Sequence, residues 1–81
     1  MRSDHVPSTL ALAHETLVHQ RPSVDAAPQA WIAFHRHSAD VYARTARVDS
    51  RHRHEASQWA AMEIRKAREI EHRLGIGVDD E

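Results

Sequence analysis

The sequence predicts an all-α fold, a long antiparallel helical hairpin preceded by a short N-terminal helix. Two observations support this class. Apolar and small residues recur in steps of three and four along most of the 81 residues, as they do on the buried face of a helix. The recurrence also changes phase near residue 50, by about 100° around a helix axis. A turn at that point lets both apolar faces meet.

The first helix is predicted over about 9–20, with Ser8 or Thr9 as its N-cap. One face carries the apolar residues Leu10, Ala13 and Leu17. Pro22 ends the helix, because the residue before a proline is pushed out of the helical region. This helix is about half as long as the two that follow, so it can cover only half of the groove between them.

The second helix is predicted over about 26–48, with Asp25 as its N-cap and Pro28 in its first turn. Its apolar or small residues follow steps of three and four, namely Trp31, Phe34, Ser38, Val41, Thr45 and Val48, with Tyr42 widening the stripe. The opposite face is polar and is expected to face solvent: Arg36, His37, Asp40, Arg44 and Arg47.

The third helix is predicted over about 51–74. Its stripe consists of Ala56, Ala60, Ala67, Ile70 and Leu74, and Glu63 is the one polar residue within it. Gly75 fits the left-handed position that ends many helices. The turn before this helix has neither glycine nor proline, and only Asp49 and Ser50 supply turn chemistry. A helix that continues through 48–51 is therefore the alternative.

The whole chain, 1–81, is predicted to form one small domain with flexible tails at 1–7 and 77–81. Thirteen of its hydrophobic residues are alanine, so few large side chains are available for a core. A lone chain of this length buries a small share of its surface, which favours a homo-oligomer, a dimer or tetramer that completes a helical bundle. The side chains expected at the interface are Trp59, Met62, Trp31 and Tyr42.

A basic cluster surrounds the predicted turn and consists of Arg44, Arg47, Arg51 and Arg53. Two of these arginines lie at the start of the third helix, where the helix dipole disfavours cations. Free backbone N–H groups beside positive charge can hold an anion such as a phosphate or a nucleic-acid backbone. The net charge of −1 argues against general nucleic-acid binding, so anion binding is an alternative function.

His52 and Glu55 form the candidate metal pair. They are three residues apart and share one helix face, whereas histidines two residues apart point away from each other. Two such pairs meeting across a dimer axis would offer two histidines and two carboxylates. A divalent metal at a subunit interface is the second alternative.

The remaining features exclude several classes. Without cysteine the chain has neither disulfides nor thiolate chemistry, and no apolar run approaches the length of a membrane span. The N-terminus lacks the pattern of a signal peptide, so a cytoplasmic location is expected. No nucleophile or glycine-rich motif indicates an enzyme. The leading prediction is a non-catalytic interaction and oligomerisation module, binding a second copy or another protein.

Overall fold

The computed structural model describes residues 6–75. Three α-helices follow one another, α1 (Leu10–Val18), α2 (Pro28–Val48) and α3 (Arg53–Leu74), and a short 3-10 helix, Ser50–His52, joins the last two. The part of the chain that is described contains no strand, which confirms the all-α class. Each helix begins and ends within two residues of its predicted bounds, as expected from the fraying of helix ends.

The start of α1 is held by two side chains. Thr9, one of the two predicted candidates, is the N-cap, and its Oγ1 accepts the Leu12 N–H at 3.1 Å. The Leu10 N–H donates to Oδ2 of Asp49, 39 residues further along the chain, at 2.9 Å. Backbone donors in the first turn have no helical partner, and the dipole favours a negative group there. Asp49 therefore fixes one end of α1 to the corner between α2 and α3.

The start of α2 differs from the prediction. Ala27 is its N-cap and makes no side-chain hydrogen bond, while Pro28 occupies the first turn as expected. Asp25 accepts a hydrogen bond from the Ser23 hydroxyl at 2.7 Å, and this bond lowers the pKa of Asp25. The prediction that Asp25 caps α2 is wrong, because local side-chain hydrogen bonding competes with the capping arrangement.

The helices α2 and α3 run in opposite directions along each other. Near the corner, the ring centroids of Tyr42 and Trp59 lie 5.8 Å apart. At the far end, Nη2 of Arg36 donates to Oε2 of Glu71 at 2.6 Å. Small side chains are buried along the α2–α3 pair, namely Ser38, Ala39, Thr45, Ala46, Ala56 and Ala67. Such residues let two helices approach closely.

The corner is organised by Asp49, which leaves the helical conformation with φ −101° and ψ 82°. A single helix through 48–51 is thereby excluded. His52 Nδ1 lies 3.0 Å from Oδ2 of Asp49, and it must donate there because a carboxylate only accepts. The Leu10 N–H is the largest cause of the lowered pKa of Asp49, followed in the same direction by the hydrogen bond from His52. The predicted turn residue therefore acts mainly as a tie to α1.

The core contains few large side chains. Of the eight buried hydrophobic residues in the range 6–75, five are alanine and only Leu10, Leu17 and Tyr42 are large. Four others are partly buried against them: Phe34, Val41, Trp59 and Ala60. Six large hydrophobic residues stay exposed among those described, namely Leu12, Val18, Val24, Val48, Met62 and Leu74. The predicted stripes of α2 and α3 are therefore solvent-exposed at Val48 and Leu74.

The chain ends were predicted in part. Gly75 ends α3 with φ 78°, the left-handed conformation that its position predicts. Pro7, assigned to the N-terminal tail, is buried, whereas 1–5 and 77–81 lie outside the described residues. None of the helices between residues 6 and 75 is both long and apolar enough to cross a bilayer.

Replacing Asp49 by Asn tests the tie between α1 and the corner. The lowered pKa of Asp49 means that its stabilising effect is complete above the usual aspartate pKa and is lost as pH falls through the folded-state pKa. We expect Asp49→Asn to lower the urea midpoint of unfolding at pH 7. We also expect the stability of this variant to fall less than that of the wild type as the pH is lowered. Urea unfolding followed by circular dichroism between pH 2 and 7 measures both, with the pH range chosen to span the usual pKa of about 3.9.

Asp40→Asn is the matched control, because Asp40 is exposed and pairs only with Arg44 on the same helix at 3.1 Å. Exposed pairs of this kind contribute little to stability. Equal midpoints for the two variants at pH 7 would contradict a structural role for Asp49.

Candidate binding cleft

A cleft of about 530 Å³ lies between α1 and the α2–α3 pair. Residues of all three helices and of the connection after α1 line it: Ala11, His14, Glu15, Leu17, Val18, Arg21, Phe34, Ser38, Tyr42, Trp59, Glu63 and Lys66. It occupies the groove that the short α1 was expected to leave partly open. We refer to these residues as the cleft.

One wall of the cleft is aromatic and is built by His14, Tyr42 and Trp59. His14 Nδ1 lies 2.7 Å from the Tyr42 hydroxyl, and the His14 ring meets the Trp59 ring edge to face at 4.8 Å between centroids. Burial raises the pKa of Tyr42, and the charge of Glu63 raises it further. Tyr42 is only 5% exposed, so this predicted interface residue is part of the core and has almost no surface left for a partner.

The floor of the cleft is polar. Glu63 is 6% exposed, and its Oε1 lies 2.7 Å from Nδ1 of the buried His35. Its other oxygen, Oε2, lies 3.7 Å from Lys66 Nζ, which is longer than a hydrogen bond. Glu63, the polar residue within the α3 stripe, therefore has a close partner for Oε1 in His35 and only a distant one for Oε2 in Lys66.

Ser38 lines the same cleft with an unpaired hydroxyl. The residue is 1% exposed, and its Oγ has no hydrogen-bond partner among the described residues. Thr45 lies about two turns further along α2. Its Oγ1 is also buried and unpaired among the described residues, but Thr45 does not line the cleft. An unpaired buried hydroxyl costs about 1–3 kcal/mol. The Ser38 hydroxyl is therefore enclosed by the helices and has no accessible surface at the cleft.

Arg21 and Phe34 line the cleft, and Trp31 lies next to both, just outside the lining. The Arg21 guanidinium lies 5.1 Å from the Trp31 ring centroid and 5.9 Å from that of Phe34. The indole N–H of Trp31 donates to the Ser23 carbonyl at 3.2 Å. Trp31, a predicted interface residue, is half-buried beside the cleft and keeps part of its surface accessible.

The rim carries exposed apolar side chains. Val18 lines the cleft and is 57% exposed. Met62 is 39% exposed and falls between Trp59 and Lys66 in steps of three and four, on the same face of α3. Trp59 itself is half-buried against the core. Of the four predicted interface residues, Tyr42 and Trp59 line the cleft, whereas Trp31 and Met62 lie outside its lining.

The basic cluster is only partly brought together. Arg47 and Arg53 line one shallow groove on another part of the α2–α3 pair, with Ala43, Ala46, Ser57 and Ala60. Arg44 pairs with Asp40, and Arg51 is exposed in the 3-10 helix. Arg47 and Arg53 are therefore the two candidate anion ligands that share a surface.

The candidate metal pair lies where the 3-10 helix joins α3. His52 Nδ1 is held by Asp49, and Glu55 is exposed in the first turn of α3. Across residues 6–75, no group of three histidine, aspartate or glutamate side chains is placed to hold a metal ion.

Sequence reasoning missed His14 and His35. His14 follows Leu10 by four residues and precedes Leu17 by three, so helical spacing places it on the apolar face. His35 adjoins Phe34 in the α2 stripe, and the unpaired Glu63 in the facing stripe required a partner. A search for a polar residue near each apolar stripe would have found both histidines.

Comparison of the chain with protein-family models, with curated proteins and with solved structures gave no match. The site is therefore interpreted from its own geometry.

Replacing Glu63 by Ala tests whether the floor of the cleft depends on the buried pair. The substitution leaves His35 buried without its acceptor, so we expect a loss of about 2–3 kcal/mol in the free energy of unfolding, measured by urea titration. Glu71→Ala is the control. Glu71 pairs with the half-exposed Arg36, and its loss should cost less than about 1 kcal/mol.

The double variant His35→Leu with Glu63→Leu extends this test. Replacing both partners of a buried pair by apolar residues is often neutral. We expect the double variant to be more stable than Glu63→Ala, and a double variant less stable than Glu63→Ala would contradict this account.

Proposed function

We propose that the protein is a non-catalytic helical interaction module that self-associates, with a second copy covering the cleft. The observation that carries the proposal is the imbalance in burial. Three large hydrophobic side chains are buried and six are exposed among the described residues. A chain of this size gains little stability from such a core, and shared burial between copies would add to it.

The charges of the cleft favour a second copy as the occupant. Its lining holds two acidic residues, Glu15 and Glu63, and two basic residues, Arg21 and Lys66. In a two-fold dimer the same patch of both copies forms the interface, so acidic residues of one copy must be able to meet basic residues of the other. A patch with both signs allows this, and the exposed Val18 and Met62 supply apolar area at its rim. The antiparallel α2–α3 pairs of two copies would then form the centre of a helical bundle.

The non-catalytic part of the proposal stays a prediction. A cytoplasmic location stays a prediction.

Sedimentation velocity tests self-association directly. We expect a dimer or tetramer at tens of micromolar, and at least about ten-fold weaker association in Met62→Glu and Val18→Glu, because each places a charge in the buried interface. Both residues are exposed in the single chain, so the fold should tolerate the change.

Val24→Glu is the matched control, since Val24 is 95% exposed and does not line the cleft. It should associate like the wild type. A wild-type chain that stays monomeric would refute self-association, and equal weakening by Val24→Glu would refute the cleft as the interface. Binding of a different protein at the cleft would then be the remaining form of the module.

A second candidate function is anion binding at Arg47 and Arg53. The observation that favours it is their common groove beside the start of α3, whose N-cap His52 makes no side-chain capping hydrogen bond. Uncapped backbone N–H groups and two guanidinium groups suit a phosphate.

The anion hypothesis predicts salt-sensitive binding of a short nucleic acid or of inorganic phosphate. We expect the double variant Arg47→Gln with Arg53→Gln to lose this binding, measured by fluorescence anisotropy with a labelled oligonucleotide and by calorimetry with phosphate. Arg44→Gln, whose arginine already pairs with Asp40, is the control. No binding by the wild type at low salt would refute the hypothesis.

A further inference from the structure

We propose that residues 76–81 of one copy bind a groove on the α2–α3 pair of another copy. The groove lies on a different side of this pair from the cleft, because no α1 residue lines it among those described. Two hollows form it, and they share Ala43 and Ala60. The proposal rests on self-association, and it adds a segment and a surface that join copies outside the cleft.

The floor of the groove is built from small side chains. Five alanines of α2 and α3 line it, namely Ala39, Ala43, Ala46, Ala60 and Ala61. An alanine side chain ends at its Cβ atom, so a groove with this floor has room for the side chains of an extended segment. We refer to it as the alanine groove.

The two ends of the alanine groove differ in charge. Far from the corner it is lined by Arg36 and Asp40, each of which already has a partner of opposite charge. At the corner end it is lined by Arg47 and Arg53, which form no ion pair within the described part of the chain. The corner end is therefore positive and attracts an acidic partner.

The sequence of 76–81 matches this groove. It reads Ile-Gly-Val-Asp-Asp-Glu, with the apolar Ile76 and Val78 before three consecutive acidic residues. Carboxylates form strong, charge-assisted hydrogen bonds with arginine, often two at a time. With the apolar residues over the alanines, the acidic residues reach the arginines at the corner end.

The length of the segment also fits. Ile64 and Arg53 line the α3 side of the groove and lie about 17 Å apart at the rise of a helix. Six residues in an extended conformation span at most about 20 Å. The segment can therefore follow the groove from Ile64 to Arg53.

The groove that the segment fills belongs to another copy. The segment follows Gly75 at the end of α3, whereas Arg53 begins that helix, and its 22 residues are about 33 Å long. The backbone of Asp80 can lie at most about 18 Å from Gly75. Asp79 and Asp80 therefore cannot reach Arg53 of their own chain. They can reach it in a copy whose α3 runs in the opposite direction.

The contact is reciprocal, because two antiparallel α3 helices can be related by a two-fold axis. Each copy then gives its own segment and receives the segment of the other. Since the alanine groove and the cleft are separate surfaces, two-fold contacts at both would close a tetramer. Of the two predicted assemblies, the dimer and the tetramer, this contact selects the tetramer.

Two charge-reversal variants of the full chain test the contact. The segment variant combines Asp79→Lys, Asp80→Lys and Glu81→Lys, and the groove variant combines Arg47→Glu with Arg53→Glu. Like charges that face each other across an interface are costly. We expect each variant alone to form tetramers at least about ten-fold more weakly than the wild type, leaving dimers joined at the cleft. Sedimentation velocity at tens of micromolar measures this.

Mixing the two variants tests whether the contact joins different copies. In an equimolar mixture, both contacts between unlike chains again bring opposite charges together, so tetramers should return. A segment that binds its own chain would show no such recovery, because every chain keeps its mismatched charges. The differences from the wild type should also shrink at about 0.5 M salt, since exposed charges are screened.

The matched control combines Arg65→Glu with Arg68→Glu. Both arginines are exposed on α3 and line neither the cleft nor the alanine groove. The control has the same net charge as the groove variant and should form tetramers like the wild type. Circular dichroism should show the same helix content in all variants.

Several results would overturn the contact: wild-type tetramers in either reversal variant alone, no recovery in the mixture, or an equal loss in the control. Association that Met62→Glu weakens and both reversals leave unchanged would refute this contact alone. Association that the reversals weaken and Met62→Glu leaves unchanged would refute the cleft interface alone. A monomeric wild type would refute both.

Discussion

The fold of the chain depends on the carboxylate of Asp49. It accepts the Leu10 N–H at the start of α1 and the His52 ring N–H at the corner, and so joins three segments at one point. The nine residues of α1 are too few for a stable isolated helix, which needs about 12–15 residues in water. Without this tie, α1 would depend on the Thr9 cap, on the packing of Leu10, Ala13 and Leu17, and on the contacts of His14. Because α1 carries His14, the aromatic wall of the cleft also depends on Asp49.

Close packing of α2 on α3 determines where the large side chains lie. The contact between these helices is built largely from alanine, serine and threonine, which leave no room for aromatic rings on the line of closest approach. The rings are therefore displaced toward the side where α1 packs, and Phe34, Tyr42 and Trp59 end up around the cleft. The thin core and the aromatic cleft thus have one cause, the small residues of the α2–α3 contact.

Local features were predictable from the sequence, and distant contacts were not. The helix bounds, the Thr9 cap and the left-handed Gly75 follow from residues within one or two turns of each position. The apolar stripes also identified the faces of α2 and α3, and Glu63 stood out within one of them. Its partner His35 could not be identified, because periodicity tells which face is buried and not which residues meet across it. The same holds for Asp49, whose role depends on a helix 39 residues away. The error at Asp25 has a local cause, since Ser23 offered its carboxylate a closer partner.

The polar groups of the cleft distinguish stability from specificity. A satisfied buried pair such as His35 with Glu63 contributes little beyond what apolar residues of the same volume would, although breaking it is costly. An unpaired hydroxyl such as that of Ser38 reduces stability outright, and alanine at this position would avoid that cost. Among the described residues only three large apolar side chains are fully buried, so such costs are a considerable part of the total stability.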